Sequence, residues 1–192
     1  GAEIRTEASV ERVLMQGDKA VGVVLEGSGE EIRAKTVISG CDPRRTFLGF
    51  VGKKNLDAEF VSHIKRYKLR GSSGKVNLAL DRLPSFKCLP GEGAHLKGDI
   101  TFAPSIDFLE RAYDDAKYGA FSRRPFMDIV IPSLTDPTVA PPGKHTMSIF
   151  VQYAPYNLKE GPADWPNQRE AFGDAVIDTL ATYMPNIKDR IL

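Results

Sequence analysis

The sequence predicts an α+β protein, with an N-terminal β-meander followed by a sheet of about four antiparallel or mixed strands on which helices pack. Two observations support this class. Residues 1–40 contain short β-prone runs separated by glycine turns. After residue 70, segments that alternate polar and apolar residues are interrupted by helical patterns, as in a sheet covered on one side. The chain is therefore expected to divide between residues 43 and 70.

The meander is read from three β-prone runs, Ala8–Met15, Ala20–Leu25 and Glu31–Ile38. Gly17-Asp18 and the stretch 26–29 supply the turns between them. Val37 and Ile38 are predicted to end the last run as a short buried strand. Because the chain opens inside a meander and has no start methionine, we expect it to be a piece of a larger protein.

Two helices are predicted next. Asp42 caps the first, with Pro43 at the first helical position, and Arg44 to Val51 form its body. The second covers Asp57 to Tyr67, where apolar residues recur at helical spacing. The basic cluster at 65–70 is interpreted as a solvated helix end.

The remaining elements alternate between sheet and helix. Strands are predicted at 75–81, 99–103, 126–131 and 146–153. Ser105 should cap a helix, and Asn167 with Glu170 should begin a long one that Pro185 ends. The residues predicted to form the two buried helical stripes are Ile106, Leu109, Tyr113 and Ala116 in the first helix, and Phe172, Val176, Leu180 and Tyr183 in the second.

The last strand has two different faces. Met147, Ile149, Val151 and Tyr153 would share an apolar face. The opposite face is polar with one aromatic residue, and its members are Thr146, Ser148, Phe150 and Gln152. Such a face can line a cavity or meet water, and the sequence leaves both open.

Composition excludes several classes. The 192 residues include 26 basic and 25 acidic ones, a net charge of +1, which argues against a nucleic-acid-binding surface. No run approaches the roughly 18 apolar residues of a transmembrane helix. Cys41 and Cys88 form no C-x-x-C pair and favour a reducing compartment.

Motifs for chemistry are sparse. Gly91-Glu92-Gly93 begins like a dinucleotide-binding turn, but Leu96 stands where the third glycine belongs and no strand precedes it. His63, His95 and His145 share no metal-ligand spacing, so no metal is predicted, although Cys88 and His95 could meet in one loop. No acid–base or nucleophile constellation emerges, and the catalytic residues stay unknown.

Two stretches support a family resemblance. They are the meander ending Ile38-Ser39-Gly40-Cys41-Asp42-Pro43 and the loop 133–145, which reads Ser-x-x-Asp-Pro-x-x-Ala-Pro-Pro-Gly-Lys-His. Together they resemble the middle of FAD-dependent oxidoreductases of the phytoene desaturase and amine oxidase superfamily, in its phytoene-dehydrogenase-like branch. The resemblance covers essentially the whole chain.

The resemblance implies that residues 1–43 are a meander of an FAD domain and that residues 44–192 are a substrate-binding domain, incomplete at its C-terminus. Val10 matches a valine whose backbone contacts the adenine end of FAD. Ser39, Gly40 and Cys41 match a turn near the cofactor. The sheet would form one wall of an apolar cavity, with Ser148, Phe150 and Gln152 as substrate-binding residues.

The implied activity is a flavin-mediated desaturation, or oxidation of a C–C or C–N single bond, of a largely apolar small substrate. The segment alone is expected to be inactive and not to retain FAD, since the phosphate-binding glycines and the C-terminal flavin segment are missing. Its partner would be the remainder of its own FAD domain, in bacterial cytoplasm or mitochondria. A non-enzymatic protein-binding module and an amine oxidase on the same scaffold are the alternatives.

Overall fold

The computed structural model describes residues 1–69 and 71–192. The chain forms two compact units, Gly1–Leu69 and Arg70–Leu192. The helices between residues 44 and 66 group with the meander and not with the later sheet, so the compact units divide at the C-terminal end of the expected interval 43–70. The assignment of the two parts to an FAD domain and a substrate domain stays a prediction.

The first unit contains a three-stranded antiparallel sheet. Its strands are β1 (Val10–Gln16), β2 (Lys19–Leu25) and β3 (Glu31–Arg33), in the order β1-β2-β3. Gly17 adopts a φ of +62° in the turn between β1 and β2, which a residue without Cβ does at least cost. The predicted meander is therefore present.

The predicted buried strand at Val37 and Ile38 is wrong. β3 ends at Arg33, and Ile38 is 91% exposed. The sheet of this unit has no strand beyond β3 in the described residues, so Val37 and Ile38 have no strand to pair with. Val37 is half-buried and Ile38 is exposed. A short apolar run forms a buried strand only where a neighbouring strand is available to pair with it.

Two longer helices and a short 3-10 helix at Lys53–Asn55 complete the first unit. A π-type helix at Arg44–Gly52 begins where the Asp42 carboxylate accepts a hydrogen bond from the Arg45 amide at 3.0 Å. Helix α1 (Ala58–Arg66) is capped by Asp57. Residues 65–69 of the predicted basic cluster are exposed, and its last member, Arg70, lies outside the described residues.

The second unit contains the predicted four-stranded sheet, which is antiparallel throughout. The strands are β4 (Ser73–Leu80), β5 (Ile100–Phe102), β6 (Phe126–Val130) and β7 (His145–Gln152), in the order β4-β7-β6-β5. One face of this sheet is buried in a single apolar cluster. β5 forms one edge of the sheet, next to the Pro- and Gly-rich loop 84–98.

Helix α3 (Trp165–Tyr183) supplies the other half of that cluster. Phe172, Val176 and Leu180 are buried, as predicted, and the helix ends before Pro185. Its start lies two residues earlier than the predicted cap at Asn167. The Asp164 carboxylate accepts hydrogen bonds from the Asn167 and Gln168 side chains, at 2.7 and 3.0 Å, so the acceptor precedes the helix.

Helix α2 (Ile106–Lys117) begins as predicted, with the Ser105 hydroxyl accepting a hydrogen bond from the Phe108 amide at 3.1 Å. Its predicted buried stripe is only partly present, because Leu109 and Ala116 are half-buried whereas Ile106 and Tyr113 are exposed. Ile106 is 80% exposed, whereas Ala112 is 2% exposed and forms the buried position of the helix. A small residue allows close approach of the helix, a feature that hydrophobicity alone does not reveal.

Within the described ranges, none of the helices combines the length and apolar character needed to cross a membrane.

Candidate functional site

The four residues predicted to lie near a cofactor line one concavity of the first unit. Val10, Ser39, Gly40 and Cys41 contribute to its wall, and its volume is about 510 Å³. Val10 is the first residue of β1, and the pairing of β1 with β2 is irregular between Val10 and Arg12. The concavity therefore brings residue 10 together with residues 39–41, although β2 and β3 lie between them in the sequence.

Local hydrogen bonds shape the turn at residues 39–42. The Ser39 hydroxyl accepts a hydrogen bond from the Cys41 amide at 3.3 Å and bonds the Thr46 hydroxyl at 2.7 Å. The Asp42 carboxylate holds the start of the next helix. The turn is therefore defined by its own side chains and directs Gly40 to the concavity.

The remaining wall of this concavity is mostly apolar. Its apolar members are Val13, Val23, Val37, Ile38 and Phe50. Glu26 and Arg45 add one carboxylate and one guanidinium. An apolar wall with a few polar groups is the usual composition of a ligand pocket, and the volume lies within the usual range of about 300–1,000 Å³.

The predicted polar face of β7 is the open face of the second unit's sheet. Met147, Ile149 and Val151 are buried on the other side. Ser148 and Gln152 are half-buried and Phe150 is 41% exposed, so the three predicted substrate residues share one face. β7 ends at Gln152, and Tyr153 therefore falls outside the alternation.

Register places one row of side chains across all four strands of this face. Lys75 on β4 is opposite Phe150 on β7, which is opposite Asp128 on β6, which is opposite Thr101 on β5. The Thr101 hydroxyl donates a hydrogen bond to the Asp128 carboxylate at 2.6 Å. The row presents an aromatic ring between an ammonium group and a carboxylate.

Sequence reasoning missed Lys75, Asp128 and Thr101 as members of this face. The alternation within β6 could have placed Asp128 opposite the buried Met127 and Ile129. Its position beside Phe150 depends on cross-strand register, which no single strand reveals. The face offers hydroxyl, amide and aromatic groups that can orient a mostly apolar molecule.

The dinucleotide-like glycines lie in a loop. Gly91 and Gly93 precede a single 3-10 turn at Ala94–Leu96, and no strand leads into them among the described residues. Within the same described ranges, no three His, Cys, Asp or Glu side chains gather as metal ligands. Neither unit presents a nucleophile–base pair on the two surfaces described above.

The loop that supported the resemblance joins β6 to β7, and its serine anchors it. The Thr146 amide donates to the Ser133 hydroxyl oxygen at 3.2 Å, and the Ser133 hydroxyl lies 3.0 Å from His145 Nδ1. The Thr138 hydroxyl and amide both donate to Asp136, and these hydrogen bonds hold the pKa of that carboxyl below its ordinary value. Hydrogen bonds within the loop, and between the loop and the start of β7, therefore hold this connection in place.

We expect Ser133→Ala to lower the free energy of unfolding of the second unit by about 1–2 kcal/mol, because the half-buried Thr146 amide and His145 lose a shared partner. Urea unfolding can be followed by the fluorescence of Trp165, the single tryptophan, which packs 5.6 Å from Phe172 in this unit. Thr135→Ala is the matched control, because that hydroxyl is exposed and bonds the Pro132 carbonyl of its own turn, and its effect should stay below about 0.5 kcal/mol. Equal effects would contradict the anchoring role.

The whole length of the chain aligns with known proteins. It is 35% identical to pyridine nucleotide-disulfide oxidoreductase domain-containing protein 2 of Mus musculus and 37% identical to that of Rattus norvegicus. It is 29% identical to a phytoene desaturase (neurosporene-forming) of Cereibacter sphaeroides. The resemblance predicted from the sequence is confirmed. The chain spans about a third of these relatives, 34% of the two rodent proteins and 35% of the desaturase.

The fold also has a solved counterpart. An oxidoreductase from Methanosarcina mazei superimposes with a TM-score of 0.51 over 92% of this chain and 33% of its own, at 20% sequence identity. This likeness concerns the fold. No protein-family model matches the chain.

Proposed function

We propose that this chain is the part of an FAD-dependent oxidoreductase that supports one end of the cofactor and forms one wall of an apolar substrate cavity. In this proposal residues 1–43 belong to the FAD domain and residues 44–192 to the substrate domain. The observation that carries it is the convergence of Val10, Ser39, Gly40 and Cys41 on a single concavity. The similarity to a phytoene desaturase supports the same class.

The residues of the concavity fit the nucleoside end of FAD. Val10 and Val13 offer an apolar wall to a flat ring, and Glu26 offers a carboxylate that can accept hydrogen bonds from sugar hydroxyls. Gly40 leaves open space, because a Cβ built there would meet no atom within 4 Å. The phosphates would have to be held by segments outside this chain, since it contains no glycine-rich strand-to-helix turn.

The open sheet face would bind and orient the substrate. Phe150 would pack against an apolar chain, while Ser148 and Gln152 would set its position through hydrogen bonds or by excluding water. Bound FAD would supply the redox chemistry by accepting a hydride. The role of this chain is therefore burial and orientation, in a bacterial cytoplasm or a mitochondrion.

Filling the concavity should release the cofactor. We expect Gly40→Phe in the full-length gene product to weaken FAD binding at least about tenfold, since the ring would occupy space that the cofactor needs. Gly40 does not have a positive φ, so the substitution adds no backbone strain. Flavin absorbance per protein after gel filtration measures the effect.

Gly98→Phe is the matched control, because Gly98 also has open space and no positive φ but lies in the second unit. It should leave the flavin content unchanged. Full flavin retention by Gly40→Phe would contradict the assignment of the concavity. If the full-length protein folds but contains no flavin, the alternative of a non-enzymatic protein-binding module would be favoured.

The substrate class can be tested on the same flavoprotein. Anaerobic addition of phytoene in detergent micelles should bleach the bound flavin, whereas a primary amine should not. The opposite result would favour the amine oxidase alternative and overturn the apolar substrate.

A further inference from the structure

A second concavity lies in the sheet unit, and Thr101 of the cross-strand row is one of its lining residues. It runs along the edge strand β5 and is closed by the Pro- and Gly-rich loop and by the end of α3. Its volume is about 320 Å³. The side chains that define it are Phe86, Cys88, Leu89, His95, Phe102 and Tyr183.

Four of these side chains form an aromatic box. The Phe102 and Tyr183 rings meet edge to face with centroids 4.6 Å apart. Phe86 lies 6.1 Å from Phe102 in a stacked arrangement and 6.2 Å from the His95 ring. Rings at these separations and angles favour a further aromatic ring as their neighbour.

Hydrogen bonds hold the box in place before any ligand arrives. The Lys87 amide donates to the Tyr183 carbonyl at 2.9 Å, which ties the loop to the end of α3. The Ser85 amide donates to the Asn186 side chain at 3.2 Å, and the Gly91 amide donates to the Ser85 hydroxyl at 3.2 Å. A preformed pocket costs little ordering entropy on binding.

The polarity of the pocket selects an uncharged ligand. None of its lining residues is Asp, Glu, Lys or Arg, so a charged group would lose hydration without gaining a partner. One polar atom is left over, because His95 Nε2 is buried and has no hydrogen-bond partner among the described residues. A hydroxyl or carbonyl group on the ligand would pair with this nitrogen once the His95 ring turns it toward the pocket.

We propose that this pocket binds a small, uncharged aromatic compound that carries one hydroxyl or carbonyl group. Its ring would sit among Phe86, Phe102 and Tyr183, with the polar group toward His95. The volume lies at the small end of the usual range for ligand pockets and suits one or two fused rings. This site is independent of flavin binding, which concerns the first unit.

Calorimetric titration of the 192-residue chain with 2-naphthol at pH 7.5 tests the proposal. We expect saturable binding of one equivalent, and at least tenfold weaker binding of 2-naphthoate, which has the same rings and a negative charge. Leu89→Trp should weaken 2-naphthol binding at least tenfold, since Leu89 is 51% exposed at the pocket and a larger side chain there blocks it. Ile106→Trp, at an exposed position outside the pocket, should change nothing.

His95→Phe keeps an aromatic ring at this position and removes the ring nitrogen, so it tests the hydrogen bond separately from the aromatic contacts. It should weaken 2-naphthol binding about fivefold by removing one hydrogen bond, and it should leave binding of 2-methylnaphthalene unchanged. Absence of saturable 2-naphthol binding up to 1 mM, or equal binding of 2-naphthoate, would overturn the proposal. So would a Leu89→Trp variant that binds like the parent chain.

Discussion

Ile149→Ala should lower the free energy of unfolding of the second unit by about 3–4 kcal/mol. Ile149 is 0% exposed and lies in the middle of β7, between Val76 on β4 and Ile129 on β6. Truncation removes apolar contacts and leaves a cavity that the surrounding strands and α3 cannot fully close. Urea unfolding followed by Trp165 fluorescence measures the loss, because Trp165 lies in this unit and packs against Phe172.

The neighbouring residue provides the control. Ser148 lies on the open face of the same strand, so Ser148→Ala should change the free energy of unfolding by less than about 0.5 kcal/mol. A large difference between adjacent positions is the energetic signature of alternation in a strand covered on one side. Similar losses at both positions would contradict the register.

Gly22→Ala should disrupt the first unit by separating β2 from β3. A Cβ at Gly22 would lie 2.3 Å from the Ile32 carbonyl oxygen, and Gly22 has a φ of +155°, which other residues rarely adopt. The contact is with backbone, so no side-chain rotation can relieve it. We expect a loss of at least about 2 kcal/mol in local stability.

Hydrogen exchange by mass spectrometry is the suitable measurement, since the two units need not unfold together. Amides of β1 to β3 should exchange roughly 30-fold faster in Gly22→Ala, the factor that corresponds to about 2 kcal/mol. Gly40→Ala is the control in the same unit, because its Cβ would meet no atom within 4 Å. Unchanged protection in Gly22→Ala would contradict this prediction, because β2 and β3 would then accommodate the added Cβ without a loss of local stability.

Local signals predicted the elements of this protein well. The cap at Ser105 is confirmed because a cap is a hydrogen bond between residues two or three apart. The alternation in β7 correctly separated Ile149 from Phe150, since a strand alternates its side chains whatever its partners are. The family resemblance likewise came from short motifs.

Predictions of burial failed where a distant partner decides it. Ile38 is apolar but lies exposed at the rim of the concavity, and Ile106 lies at the exposed start of α2 while Ala112 is buried. The helix start at Trp165 was missed because Asp164 holds the side chains of Asn167 and Gln168 from the preceding turn. For Ile38 and Ile106, packing selected which apolar residues are buried, whereas the missed helix start depends on hydrogen bonds between residues three and four apart.

By itself the sequence determined the α+β class, most strand and helix positions and the resemblance to the phytoene desaturase type of oxidoreductase. Only the tertiary structure decided that Val10 and Gly40 line one concavity, that Lys75, Phe150 and Asp128 share one row, and that Phe86 and Tyr183 form an aromatic box. Periodicity and caps act between near neighbours, whereas register and loop docking join residues far apart in the chain. Such contacts are selected by the packing of the whole unit.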